Sequence, residues 1–270
     1  MPLFYLMNDN ILWIHLHPPR TGGGSIIAVL LEKFPEGVFD ASKARYKLDS
    51  KKLDKKKARF IVGHATYYGI HKLVPNKIPR YFIFLRNPAE SLIDNYNIKM
   101  NSEKKIIPFE EWYKNQIKNE LVHVLDLKFR GSESIRINVP KTFMPIIRKL
   151  NYKTFYFIQK ILVNILGLNK KNDLKKLENA KKLLDLCWFV GILEKSEEDF
   201  KFLFDAIGLK NIKWKKSDDP YKEPQKINDE LRQKIYKENP LDLKLYQYAL
   251  KLNKEKRPVS KIERAPIHKE

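Results

Sequence analysis

This chain has almost no cysteine, little glycine and far fewer acids than bases. One thiol, Cys187, in 270 residues excludes a disulfide-stapled scaffold. Its place in the apolar run CWFVGI predicts a buried side chain. No stretch offers the roughly 18 uninterrupted apolar residues that cross a bilayer. The nearest, TFYFIQKILVNILGL from Thr154, is broken by Gln159, Lys160 and Asn164. No basic segment followed by a small-residue cleavage site opens the chain, so a cytoplasmic location is expected. Internal repeats and low-complexity tracts are missing too. Aromatic residues, by contrast, make up 12% of the chain, more apolar surface than a disordered protein carries. Lys and Arg number 53 against 32 Asp and Glu, a formal charge of +21 that attracts polyanions at long range. Nucleic acid, acidic lipid, acidic polysaccharide and phosphorylated small molecules all fit that charge. No helix-turn-helix, zinc-finger or RNP-like motif accompanies it, so specific nucleic-acid recognition is not expected.

The pattern along the chain alternates strand and helix. Ile11 to Leu16 reads as a strand stopped by His-Pro-Pro, and IIAVLLEKF after the turn TGGGS reads as a buried helix. The lysine-rich string from Lys43 to Arg59 reads as a solvated loop and helix. Arg59 to Val62 and Arg80 to Leu85 follow as strands, the second apolar enough to be covered on both faces. AESLIDNYNIK is a helix with Pro88 in its first turn. From about Pro108 to Leu184 helical periodicity dominates, in FEEWYKNQIKNELVHVL and in MPIIRKLNYKTFYFIQKILVNIL, with the irregular GSESIRINVP between them. Trp188 to Ile192 is a fourth strand, followed by the helix EKSEEDFKFLFDAIGL with Gly208 as C-cap. INDELRQKIYKEN and PLDLKLYQYALKLN close the fold, and residues 255–270 are expected to form a disordered basic tail. The fold class is therefore α/β, a parallel β-sheet flanked by helices, in one domain over residues 1–254 with a helical insertion over about 108–184. Ligands of such sheets bind beyond the carboxyl ends of the strands.

Three strand ends carry chemistry. HPPRTGGGS, His17 to Ser25, lies between a strand and a helix; its glycines let backbone N–H groups approach an anion, Arg20 adds a fixed charge and Ser25 a hydroxyl. It lacks the GK[ST] ending of a nucleotide triphosphatase loop, and with it the lysine and the Mg²⁺ hydroxyl. In FLRNPAESLIDNY, Arg86 sits where a strand gives way to a helix, placed to grip an anion bidentately. In IVGHATYYG, His64 follows a strand and a glycine, and histidine accepts a proton near neutral pH. Each has a bland alternative: a tight turn, a structural arginine, a satisfied histidine. Their shared position at strand ends raises the functional reading.

Taken together these strings resemble the Golgi-type carbohydrate sulfotransferases, the broad family that contains the heparan sulfate 2-O- and 6-O-sulfotransferases and their bacterial relatives. HPPRTGGGS is similar to the family's HIPKTGGTS loop, RNPAESLIDNY to its RDPVERFLSSYY segment, and IVGHATYYG to the GH-containing strand end. FVGILEKSEEDFKFL resembles VGLTERFEESL, and NPLDLKLYQYAL the closing LDIELYEYA helix. The order holds over about residues 11 to 252, with the middle unmatched.

The resemblance implies a P-loop NTPase-like sulfotransferase fold and 3′-phosphoadenosine 5′-phosphosulfate (PAPS) as donor, with no metal. It implies that Arg20, Thr21, Gly22, Gly23, Gly24 and Ser25 hold the 5′-phosphosulfate, Arg20 stabilising the leaving phosphate oxygen. By the same token Arg86 binds the 3′-phosphate and His64 takes the proton from an acceptor hydroxyl, with His17 structural. The acceptor is a carbohydrate, and the basic surface suits an acidic glycan. Three positions depart from the family: Arg20 stands for lysine, Gly24 for threonine, and Asp94 for the serine that helps hold the 3′-phosphate. A carboxylate there repels a phosphate unless it turns away or binds a cation. Lys213, Lys215 and Lys216, in KWKKSDDPYKE, read as a solvated loop that would otherwise fold over the nucleotide. The alternatives are a P-loop kinase-like phosphotransferase and an inactive, polyanion-binding relative.

Overall fold

A computed structural model describes residues 10–41, 53–103, 106–130, 173–212 and 225–255. Five strands form one all-parallel sheet: β1 (Ile11–His15), β2 (Val38–Asp40), β3 (Phe60–Val62), β4 (Ile78–Leu85) and β5 (Phe189–Ile192), in the order β2-β3-β1-β4-β5. β1 is central, paired in register with β3 through Trp13 and Phe60 and with β4 through Ile14 and Tyr81. Its residues are apolar on both faces because helices cover both. Leu12, Ile14, Tyr81, Ile83, Leu85, Val190 and Ile192 enter one core, under helices α4 (Glu120–Arg130), α5 (Asp173–Leu186) and α8 (Pro240–Glu255). Trp13, Phe60, Phe82, Phe84 and Phe189 face the other way, against α1 (Gly23–Lys33) and α6 (Ser196–Ala206). That second face is aromatic: Phe84 stacks on Phe200 at 4.5 Å. Each buried phenylalanine contributes about 1.5–3 kcal/mol.

A third cluster joins α2 (Pro88–Ser102), α3 (Phe109–Lys114) and α7 (Asp229–Glu238) through Tyr96, Phe109, Trp112 and Ile235. The α/β class with a parallel, two-sidedly covered sheet is as the sequence predicts. Gly208 closes α6 as expected, in a Schellman turn where Leu209 N–H reaches the Phe204 carbonyl at 2.7 Å and Gly208 N–H that of Asp205 at 3.1 Å. Cys187 is buried as expected, and its thiol donates to the Leu183 carbonyl at 3.2 Å.

The structure differs from the sequence expectation in several places. β2 went unnoticed, since three half-buried residues carry no period. α5, an amphipathic run inside the broadly helical middle, was not singled out. α1 starts at Gly23, inside the glycine turn rather than at Ile26. The single helix expected over FEEWYKNQIKNELVHVL is two, α3 and α4, broken at Asn119, which adopts φ +54°. Reciprocal capping makes that break. Asn119 Oδ1 accepts the N–H groups of Leu241 and Asp242 at the start of α8, and the Asp242 carboxylate accepts those of Leu121 and Val122 at the start of α4. The second expected middle helix, the Lys213–Lys216 loop, most of the lysine string and the tail lie outside the described residues. Among the described residues no helix is long and apolar enough to cross a membrane.

Candidate functional site at the strand ends

Chain direction fixes where a ligand would sit. From β1 the chain passes through α1 toward β2, and from β4 through α2 toward β5 on the other side. The crevice beyond the carboxyl ends of β1 and β4 is therefore a topological switch point, the usual ligand position in open α/β sheets. The β1–α1 loop, the turn after β4 and, on the next strand, the Gly63-His64 end of β3 all open there.

Local sequence shapes the first loop. Gly22 caps α1 with φ +76° and has no side chain to satisfy the first-turn N–H groups, and no acid stands in that turn. α2 contrasts with it, because Asn87 accepts Ala89 N–H at 3.0 Å and Glu90 sits in the first turn. The open helix end is thus α1's. Gly23 packs against a ring: a Cβ there would come within 2.2 Å of His17 Nε2, whereas one on Gly24 would meet nothing within 4 Å. Gly24 is exposed and Ser25 half-buried beside it. Thr21 is buried, and its hydroxyl donates to the Pro18 carbonyl at 2.9 Å, bracing the loop from inside. Only its backbone is left to meet a ligand.

Arg20, at φ +65°, turns toward α2. Its Nε and Nη2 donate to Asp94 Oδ2 at 2.8 and 2.7 Å, and Arg86 Nη1 lies 3.0 Å from the same oxygen. Two guanidiniums from different strand ends thus converge on one carboxylate oxygen. Asp94 binds cations, one of the two conditions expected of a carboxylate at this place: it stands between the two arginines. The trio keeps one net positive charge. Side-chain exposures of 33% for Arg20, 19% for Arg86 and 16% for Asp94 leave it half-sheltered from solvent screening.

A second wall, at the exits of β1 and β3, is a file of rings. Phe82 stacks on His15 at 4.8 Å, His15 on His17 at 5.0 Å and His17 on His64 at 4.1 Å, running from the core to the surface. Burial holds His15 neutral, with its pKa lowered to about 3, and lowers that of His17 further. Both ring nitrogens of His15 and Nδ1 of His17 lack hydrogen-bond partners among the described residues. His64 stands at the open end of the file. Its pKa is also lowered, by desolvation first and then by the nearby Lys128 charge, while a hydrogen bond with the His17 backbone and the charge of Asp40 oppose the shift. A neutral imidazole reaching solvent is the form a general base needs.

Beneath this wall lies Lys128 of α4, 7% exposed, whose ammonium donates to the carbonyls of His64 at 2.8 Å and Thr66 at 2.7 Å. Burial lowers its pKa to about 7. Thr66 in turn donates from its hydroxyl toward the carbonyls of His15 at 2.7 Å and Gly63 at 2.8 Å. The sequence reading missed Lys128, which looks like any helical surface lysine in LDLKFR. It also missed Glu194, which accepts Asn87 N–H at 2.7 Å and Tyr246 O–H at 3.0 Å and so ties the Arg86 turn to α8.

Between the arginine trio and helices α2 to α4 is a cleft of about 90 Å³, walled by Arg20, Arg86, Ser91, Asn95 and Trp112. Trp112 is buried and its indole N–H has no partner among the described residues. Typical small-molecule pockets span about 300–1,000 Å³, so this cleft admits one group of a larger ligand lying across its mouth. No protein-family model and no curated protein matches the chain.

Proposed function

We propose that this crevice is the active site of a sulfotransferase of the P-loop type, with PAPS as donor and a carbohydrate hydroxyl, preferably on an acidic glycan, as acceptor. One observation carries the reading: Arg20 and Arg86, from the ends of β1 and β4, close on a single anionic oxygen beside the uncapped start of α1, with His64 on the adjoining strand end. Two guanidiniums gripping one oxyanion, next to free helix N–H groups, form a receptor for phosphate-type oxygens. The donor supplies an activated sulfuryl group. Sulfuryl transfer asks the protein to align two oxygens and to stabilise charge on the departing one.

The residues divide that work. The N–H groups of Gly23, Gly24 and Ser25 orient the 5′ end, and Arg20 stabilises the phosphate oxygen that leaves. Arg20 does so electrostatically, since a guanidinium does not release its proton in proteins. Arg86 holds the 3′-phosphate in place of Asp94. Neutral His64 takes the proton from the acceptor hydroxyl as its oxygen bonds to sulfur and the sulfur–phosphate-oxygen bond breaks, the electron pair leaving on the phosphate. Long-range attraction by the +21 charge favours an acidic acceptor.

A second reading, a non-catalytic polyanion-binding relative, is favoured by the same Asp94 bridge, which occupies the arginines internally. A transfer assay separates the two: incubation with ³⁵S-labelled PAPS and a panel of acidic and neutral glycans gives label transfer by the wild type and its loss in H64A. Retained glycan binding without transfer by either protein would favour the second reading.

A further inference from the structure

We propose that Lys128 is the residue that positions His64, its buried ammonium clamping the 63–68 loop through the carbonyls of His64 and Thr66. This rests on the reading of His64 as the proton acceptor, and the structural argument is local. The loop after β3 is short of regular structure, yet it must present an imidazole at a fixed place beside the β1 exit. Three hydrogen bonds to one residue of α4 hold it: Lys128 Nζ to the His64 and Thr66 carbonyls, and Tyr68 N–H to the Lys128 carbonyl at 2.9 Å. Thr66 extends the clamp by bonding the His15 carbonyl and receiving His17 N–H at 3.4 Å, so β1, its exit and the β3 loop are tied together.

The choice of a lysine needs explaining. A buried ammonium with only carbonyl oxygens for partners is costly, and no carboxylate pairs with Lys128 among the described residues. For holding the loop alone, a neutral amide would serve. The charge does something further: it lies beside the histidine file and disfavours a second positive charge on it. The groups that face His64 are Lys128 from α4, His15 and His17 from β1 and its exit, Arg20 from the loop before α1, and Asp40 at the end of β2. Of these, Asp40 and the hydrogen bond with the His17 backbone favour the imidazolium, and the charges of Lys128 and Arg20 oppose it. Lys128 therefore keeps His64 both placed and unprotonated.

The test uses the whole chain and does not need turnover. ¹³C-labelled histidine is titrated by NMR in the wild type, K128M, K128Q and K128R. The expected result is a His64 midpoint below 6.5 in the wild type that rises by about one pH unit in K128M and K128Q, both of which lose the charge. K128Q keeps a donor and holds the loop, so its His64 resonance stays sharp, whereas in K128M it broadens; K128R restores the wild-type midpoint. With glycan transfer established, the acid limb of kcat moves up by the same amount while the KM for donor is unchanged. An unaltered His64 midpoint in folded K128Q and K128M would overturn the proposal. Shifted midpoints in a protein that transfers no sulfuryl group would leave the Lys128–His64 coupling standing and remove the sulfotransferase reading instead.

Discussion

The two walls of the strand-end crevice handle positive charge in opposite ways. On one, Arg20 and Arg86 share a carboxylate, Asp94, at a partly exposed position. On the other, Lys128 and three histidines are packed together, and burial drives their pKa values down. The first arrangement suits the binding of an anion, and the second keeps imidazoles neutral. An anion-transfer site needs both, because fixed charge stabilises a leaving oxygen while a base must be unprotonated to act.

The comparison can be broken most sharply at His64. H64A is expected to lower kcat by about 10²–10⁴-fold, the usual worth of a general base, and to leave donor affinity nearly unchanged, as measured by steady-state kinetics beside calorimetry. Equal loss of both would place His64 on the anion-holding wall. Next comes the glycine contact. G23A drives a Cβ into the His17 ring and should cost about 1–3 kcal/mol in denaturant unfolding, whereas G24A, one residue on in open space, should stay within about 0.5 kcal/mol.

The pH dependence of stability follows from the neutral wall. His15 has a folded pKa of about 3 against an ordinary value of 6.5, so between those limits the unfolded chain binds the extra proton. Stability should then fall as the pH drops through that window, by about 1.4 kcal/mol per pH unit for this group alone. H15F, which retains the stack on Phe82, should flatten the slope; an unchanged slope in urea titrations from pH 7 to pH 4 would mean that His15 already has a proton partner. The smallest expected effect lies on the other wall. D94N removes the internal anion without removing bulk, and affinity for an adenosine 3′,5′-bisphosphate should rise about tenfold, or about 1.4 kcal/mol. A fall in affinity would show that Asp94 orders the arginines more than it competes with the ligand.

The sequence carried the parts of this picture that depend on neighbours along the chain. RYFIFL is apolar at every position but its first, which suffices to announce a strand covered on both faces. Proline and glycine marked where β1, β3 and β4 end, and parallel topology brought those ends to one edge of the sheet. What escaped notice depends on partners far away in the chain. Asp94 read as a repulsive carboxylate because its two arginines were considered as ligand groups rather than as its own counter-ions, and Arg20 is 74 residues distant. Lys128 has no local sign of burial, since its partners are backbone carbonyls of a loop 62 and 64 residues earlier. Asn119 breaks a well-patterned helix only because α8 offers it two N–H groups.

The central claim is that the crevice receives a 3′-phosphorylated adenosine 5′-phosphosulfate, and calorimetry with adenosine 3′,5′-bisphosphate tests it most directly, beside 5′-AMP and Mg·ATP, at about 0.15 M salt so that long-range attraction is screened. Micromolar binding of the bisphosphate is predicted, much weaker for AMP and lost in R86A. Preference for Mg·ATP, or bisphosphate binding that survives R86A, would contradict it.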